Sequence, residues 1–116
     1  MQIKTFIVLA LGVALSACAA LGGGDPELYQ ALGQTDVRMA SRLVQTTLDT
    51  TPDGATRSWV NEQTGNRGAI TPTRTYLTGN GHICRDYREE LSVGEKSGRY
   101  LHTACRDPDE ARWIWR

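Results

Sequence analysis

The chain runs Cys84-Arg85-Asp86-Tyr87-Arg88-Glu89-Glu90-Leu91-Ser92-Val93, passes through Gly94-Glu95, and returns as Lys96-Ser97-Gly98-Arg99-Tyr100-Leu101-His102-Thr103-Ala104-Cys105-Arg106-Asp107. This stretch decides the fold. Each arm alternates in polarity with the period of a half-buried strand, and a glycine sits at the midpoint. A two-residue turn at Gly94-Glu95 pairs Val93 with Lys96. Counting outward, Leu91 then faces Gly98, Glu89 faces Tyr100, Tyr87 faces His102 and Cys84 faces Cys105. Opposed cysteines on neighbouring strands come close enough to bond, best at a non-hydrogen-bonded pair. A staple between non-neighbouring strands is the alternative. Ile83, Arg85, Tyr87, Glu89, Leu91 and Val93 share one side of the first arm, and Tyr100, His102 and Ala104 meet them. That side is expected to face a helix or a second layer. Asp86, Arg88, Glu90 and Ser92 are expected to face water.

The third cysteine, Cys18, belongs to a different segment. Lys4 precedes an apolar run from Thr5 to Leu15 that is short for a membrane span. It ends in Leu15-Ser16-Ala17-Cys18, which resembles the bacterial lipobox. The resemblance implies cleavage before Cys18 and acylation of that cysteine, palmitate included. An ordinary secretory signal cut after Ala17 or Ala20 is the competing reading. With Cys18 given to lipid, Cys84 and Cys105 are the remaining pair, and export places them where a disulfide persists. Ala19 rather than an aspartate follows Cys18, which in Gram-negative lipoproteins implies sorting to the outer membrane. Residues 1–17 are thus read as a signal peptide and residues 18–24 as an acylated cysteine with a glycine-containing tether.

Residues 25–52 read as helical. Asp25-Pro26 is an N-cap followed by a first-turn proline, and Gly33 is expected to close that helix. A second helix is expected from Thr35-Asp36. Val37, Ala40, Val44 and Leu48 form its apolar stripe, widened by Met39 and Leu43, with Arg38, Arg42 and Gln45 opposite. Thr50-Thr51-Pro52-Asp53-Gly54 stops it. Residues 53–116 then change texture to strand. Arg57 to Asn61 is the first strand, with a turn at Thr64-Gly65-Asn66. Ala69 to Leu77 is the second, and Pro72 makes it either an edge or a strand resumed after a bulge. Ala111 to Arg116 follows the hairpin. The expected fold class is α+β: one or two N-terminal helices on a twisted antiparallel sheet of about five strands, with one disulfide.

Trp59-x-Asn61, Thr64-Gly65-Asn66-x-Gly68, Pro72-Thr73-Arg74-Thr75-Tyr76, Cys84-Arg85-Asp86-Tyr87, Ala104-Cys105-Arg106-x-Pro108-Asp109 and Trp113 together resemble the C-terminal domain of the 17 kDa surface antigen family. The resemblance covers residues 53–116. It implies an outer-membrane lipoprotein of Gram-negative bacteria with an antigenic β-rich domain and no enzymatic activity. Many members carry a glycine-zipper hairpin between anchor and domain. Here Gly22-Gly23-Gly24 and two helices stand in its place, so a membrane-inserting role does not carry over.

Without residues 1–17 the charge is close to balance, with twelve basic and thirteen acidic residues, so nothing favours nucleic acid as a partner. His82 and His102 lie about 17 Å apart along the hairpin, too far to share a metal. Glu89 and Glu90 point to opposite sides of a strand. No cofactor, metal site or catalytic group is therefore expected. Arg85 and Arg106 each precede an acid, and their carboxylate partners are expected across the ladder. Arg85, Arg106, Trp113 and Trp115 are the candidate binding face, for an envelope protein or glycan. Ser97-Gly98-Arg99-Tyr100 is similar to the loop that small bacterial inhibitors insert into lysozyme, a reading that requires it to protrude. A periplasmic assembly factor would instead need an apolar groove or open sheet edge near the helices. The leading expectation is a structural or binding role at the outer membrane, held there by a lipid anchor.

Overall fold

The computed structural model describes residues 25–116. The signal segment, Cys18 and the tether lie outside the described residues. Two helices, α1 (Pro26–Gln30) and α2 (Gln34–Thr50), precede five strands: β1 (Arg57–Val60), β2 (Arg67–Leu77), β3 (Ile83–Val93), β4 (Lys96–Arg106) and β5 (Ile114–Trp115). The strands form one antiparallel meander in chain order, and α2 packs on one face.

The hairpin register is the one expected. Val93 pairs with Lys96, Leu91 with Gly98, Glu89 with Tyr100, Tyr87 with His102 and Cys84 with Cys105. Gly94 turns at φ 61°, and among the described residues none other than glycine has a positive φ, which is the pattern of a type II′ turn. The cysteine pair is bonded, with Cα atoms 4.0 Å apart. The two strands are neighbours, so the alternative staple is set aside.

Of the remaining strands the first begins where expected, at Arg57, and the other two do not. The second reaches back to Arg67. The last keeps only Ile114 and Trp115 in the ladder, because the segment before it is drawn toward α2. Pro72 stands inside a central strand beside a register shift between Pro72 and Arg74. Its carbonyl accepts from Gly54 N–H at 2.7 Å, on the side that β1 has already left. The missing proline donor falls on that same side and interrupts no β2–β3 bond.

Gly33 does not close α1. That helix ends at Gln30, and Gly33 is the N-cap of α2 with ψ 169°. The reason is Asp36, whose carboxylate takes the Gly33 N–H at 2.9 Å and so begins a new helix at that point.

The core lies between α2 and the sheet in two clusters. Leu28, Ala40, Trp59, Leu91, Val93 and Tyr100 form one. Val44, Leu48, Ile70, Tyr87, Ala104 and Trp113 form the other, and Leu43 touches both. Each large side chain taken fully out of water contributes about 1.5–3 kcal/mol. The expected stripe is right for Ala40, Val44 and Leu48, whereas Val37 is 45% exposed. It sits in the first turn, where α2 overhangs an open cleft.

Candidate functional site

Among the described residues three charged side chains are buried between the helices and the sheet, and each is held by partners distant in sequence. The first, Asp36, has no exposed surface. It accepts from Gly33 N–H, from the amides of Asn61 (2.7 Å) and Asn66 (2.9 Å), and from the Thr64 hydroxyl (2.8 Å). Burial pushes its carboxyl pKa up, but the donors from Asn66, Gly33, Thr64 and Asn61 outweigh that and hold it at about 2. The turn at Thr64-Gly65-Asn66 is thereby fastened to the start of α2.

The second is Arg85. Its guanidinium donates to the carbonyls of Leu48 and Thr51, both at 2.7 Å, to Asp53 at 2.8 Å and to Thr75 at 2.9 Å. It closes the C-terminal end of α2, where free carbonyls and the helix dipole both favour a cation. The Arg85 hydrogen bonds hold the Asp53 carboxyl below the usual range.

Glu89 is the third. Strand alternation places it on the core side between Tyr87 and Leu91, 2% exposed. The Tyr29 hydroxyl from α1 donates to its Oε1, and His102 Nε2 on β4 lies 2.9 Å from the same oxygen. Tyr29 and His102 are themselves 2.8 Å apart. Burial and the Glu89 carboxylate both push the Tyr29 hydroxyl pKa far up, so it keeps its proton and remains a donor.

Beside Glu89 opens a cleft of about 530 Å³ between α2 and the C-terminal segment. Val37, Ala40 and Val44 of α2, with Leu32 just before it, form one wall, and Trp113, Ile114 and Trp115 the opposite one, with Arg112 also on its lining. Trp113 is fixed there by Gln45, which accepts from its backbone N–H at 2.8 Å and donates to its carbonyl at 2.9 Å. Its indole N–H donates to Asp49 at 2.8 Å. Gln45 is therefore a tie to the last strand, not part of a free helix surface. Trp115 stacks on His102 at 5.0 Å between centroids and 4° between planes, and its N–H donates to Tyr87.

The four residues expected as one binding face are divided by the fold. Arg85 is buried beneath α2, and its carboxylate partner is Asp53 in a loop, not a residue across the ladder. Arg106 binds Asp49 of α2 at 3.2 Å and lies over the Trp113 ring. Trp113 is 5% exposed but lines the cleft, while Trp115 is 57% exposed and lines it too. Asp86 faces away from both arginines' partners and takes the Thr103 hydroxyl at 2.7 Å. Ser97 and Gly98 do not protrude: they pair with Ser92 and Leu91 inside the hairpin, and Gly98 lies under Leu28. An apolar groove next to the helices is present.

Sequence reasoning missed Glu89, His102 and Tyr29 as a group. A signal existed, because the register already put a charged residue on the apolar side of β3 with His102 on its diagonal neighbour. Nothing in the sequence pointed to Tyr29.

A family model described as 17 kDa outer membrane surface antigen matches residues 46–113. A 17 kDa surface antigen of Rickettsia australis is 37% identical over 78 residues, covering 67% of this chain and 51% of the relative. Those of Rickettsia felis and Rickettsia amblyommatis are each 36% identical over 78 residues, covering 67% of this chain and 49% and 51% of the relatives. The chain spans about half the length of the curated relatives it matches. No solved structure matches it.

Proposed function

The chain belongs to the 17 kDa outer membrane surface antigen family, and from that membership we propose an outer-membrane lipoprotein that works by binding in the cell envelope, without catalysis. The anchor is Cys18, acylated after cleavage behind Ala17. This part of the reading rests on the Leu15-Ser16-Ala17-Cys18 motif after an apolar run. Long acyl chains contribute about 0.8 kcal/mol per buried CH₂, which makes a multiply acylated anchor effectively permanent. A Cys18→Ser variant is expected to lose labelled fatty acid and to leave the outer-membrane fraction. Unchanged labelling would overturn the anchor.

The observation that carries the binding part is the cleft. Its size suits a small molecule or a side chain, its walls are apolar and aromatic, and a buried carboxylate adjoins it. A photo-crosslinking residue at position 37, on the cleft wall, tests this in cells. Position 101 is the control, since Leu101 is 70% exposed on the opposite side of the sheet. A discrete adduct at 37 and none at 101 is expected. Identical patterns at both positions would favour a passive surface antigen.

A further inference from the structure

Building on the binding reading, we propose that the cleft receives a primary alkylammonium group on an apolar stem, with Glu89 as counter-ion and Trp115 as the aromatic wall. Glu89 is a buried carboxylate, and both of its hydrogen bonds fall on Oε1, from Tyr29 and His102. Its Oε2 makes no hydrogen bond among the described residues, and the one ion-pair partner Glu89 has among them is His102, on Oε1. Yet Glu89 lines the cleft. A largely buried carboxylate with one oxygen unengaged is complementary to a cation, because the low-dielectric surroundings strengthen the attraction.

The opposite wall fits the same ligand. Trp115 has one ring face on the His102 imidazole while more than half of the residue is exposed, so its second face is open. The stack and the bond to Tyr87 hold that face in place before anything binds. An indole face attracts an ammonium and packs against its methylenes. Leu32, Val37 and Val44 offer the stem an apolar surface. Arg112 on the lining disfavours a second cation and tolerates an anionic group left outside. The shared chemistry belongs to free aliphatic amines and to lysine side chains.

Calorimetric titration of the full-length protein with n-hexylamine, n-hexanol and n-hexanoate tests the proposal. Hexylamine is expected to bind at least about tenfold tighter than hexanol, with hexanoate weakest. Glu89→Gln is expected to erase the amine's advantage while leaving hexanol affinity in place. Should that variant fail to fold, Trp115→Ala, which truncates an exposed side chain, is expected to weaken hexylamine binding several-fold. Nα-acetyl-lysine amide separates the sources: affinity equal to hexylamine assigns the site to a peptide lysine, and much weaker affinity assigns it to a free amine. Hexanol binding as tightly as hexylamine, or hexanoate binding best, overturns the proposal. A crosslink at position 37 without amine preference would remove this inference and leave the binding reading intact.

Discussion

Asp36 on α2 and Asn66 after the β1–β2 turn meet at 2.9 Å, thirty residues apart in sequence, and fasten the first hairpin to the helix. Among the described residues the carboxylate is satisfied by four donors and by no formal cation. Its pKa of about 2 lies below the ordinary 3.8. A group with a depressed folded-state pKa stabilises the fold above its unfolded value, and that stability is lost as pH falls through the folded one. Acid unfolding is therefore expected to draw about 2 kcal/mol from this site between pH ~4 and ~2. Asp36→Asn places an amide against amide and hydroxyl donors and is expected to cost about 2–4 kcal/mol at neutral pH. Urea titrations at pH 7 and pH 3 check both. An acid dependence that persists unaltered in the variant would reject the assignment.

Arg85→Met keeps the bulk on the buried face but leaves the carbonyls of Leu48 and Thr51 and the Asp53 carboxylate without their donor. The expected cost is about 3 kcal/mol. Arg85→Lys is expected to recover only part of it, because one ammonium does not reproduce the guanidinium fork. Hydrogen exchange in the last turn of α2 should rise in both. A loss spread evenly over the sheet would point elsewhere.

Reducing the Cys84–Cys105 bond, which closes a separation of 21 residues, is expected to lower stability by about 3 kcal/mol at most. The β3–β4 register runs through eleven pairs, so the native far-ultraviolet dichroism should survive reduction at moderate temperature. A shift in the urea midpoint with an unchanged native spectrum is the expected result. Loss of the spectrum itself would mean that the crosslink holds the hairpin, not merely limits the unfolded chain.

Gly68 and Gly98 separate a rigid close approach from a yielding one. A Cβ at Gly68 would fall well inside contact distance of the Trp59 indole and 3.1 Å from Leu91 Cδ2. Trp59 is 5% exposed and its indole is a rigid ring, so Gly68→Ala is expected to cost about 3 kcal/mol. At Gly98 the nearest atom is Leu28 Cδ1 at 2.7 Å, the end of a side chain on a five-residue helix. Gly98→Ala should cost about 1 kcal/mol and displace α1, visible as faster exchange there. Equal losses at the two positions would contradict this distinction.

Where short-range rules applied, the sequence was sufficient. The hairpin register follows from Gly94-Glu95 and strict alternation, because a two-residue turn leaves only one way to pair the arms. The pairing of Cys84 with Cys105 follows from that register. Apolar spacing identified Ala40, Val44 and Leu48 as a packed face, and family membership was legible in motifs spread from Trp59 to Trp113. Only the tertiary structure decided what the charged residues on the core side do. Asp36, Arg85 and Glu89 find partners as far as 30, 37 and 60 residues away. Alternation reveals which side of a strand a residue occupies, but not what the helix layer lays over it. That depends on where α2 ends and α1 folds back, and packing sets both through contacts that no local pattern records.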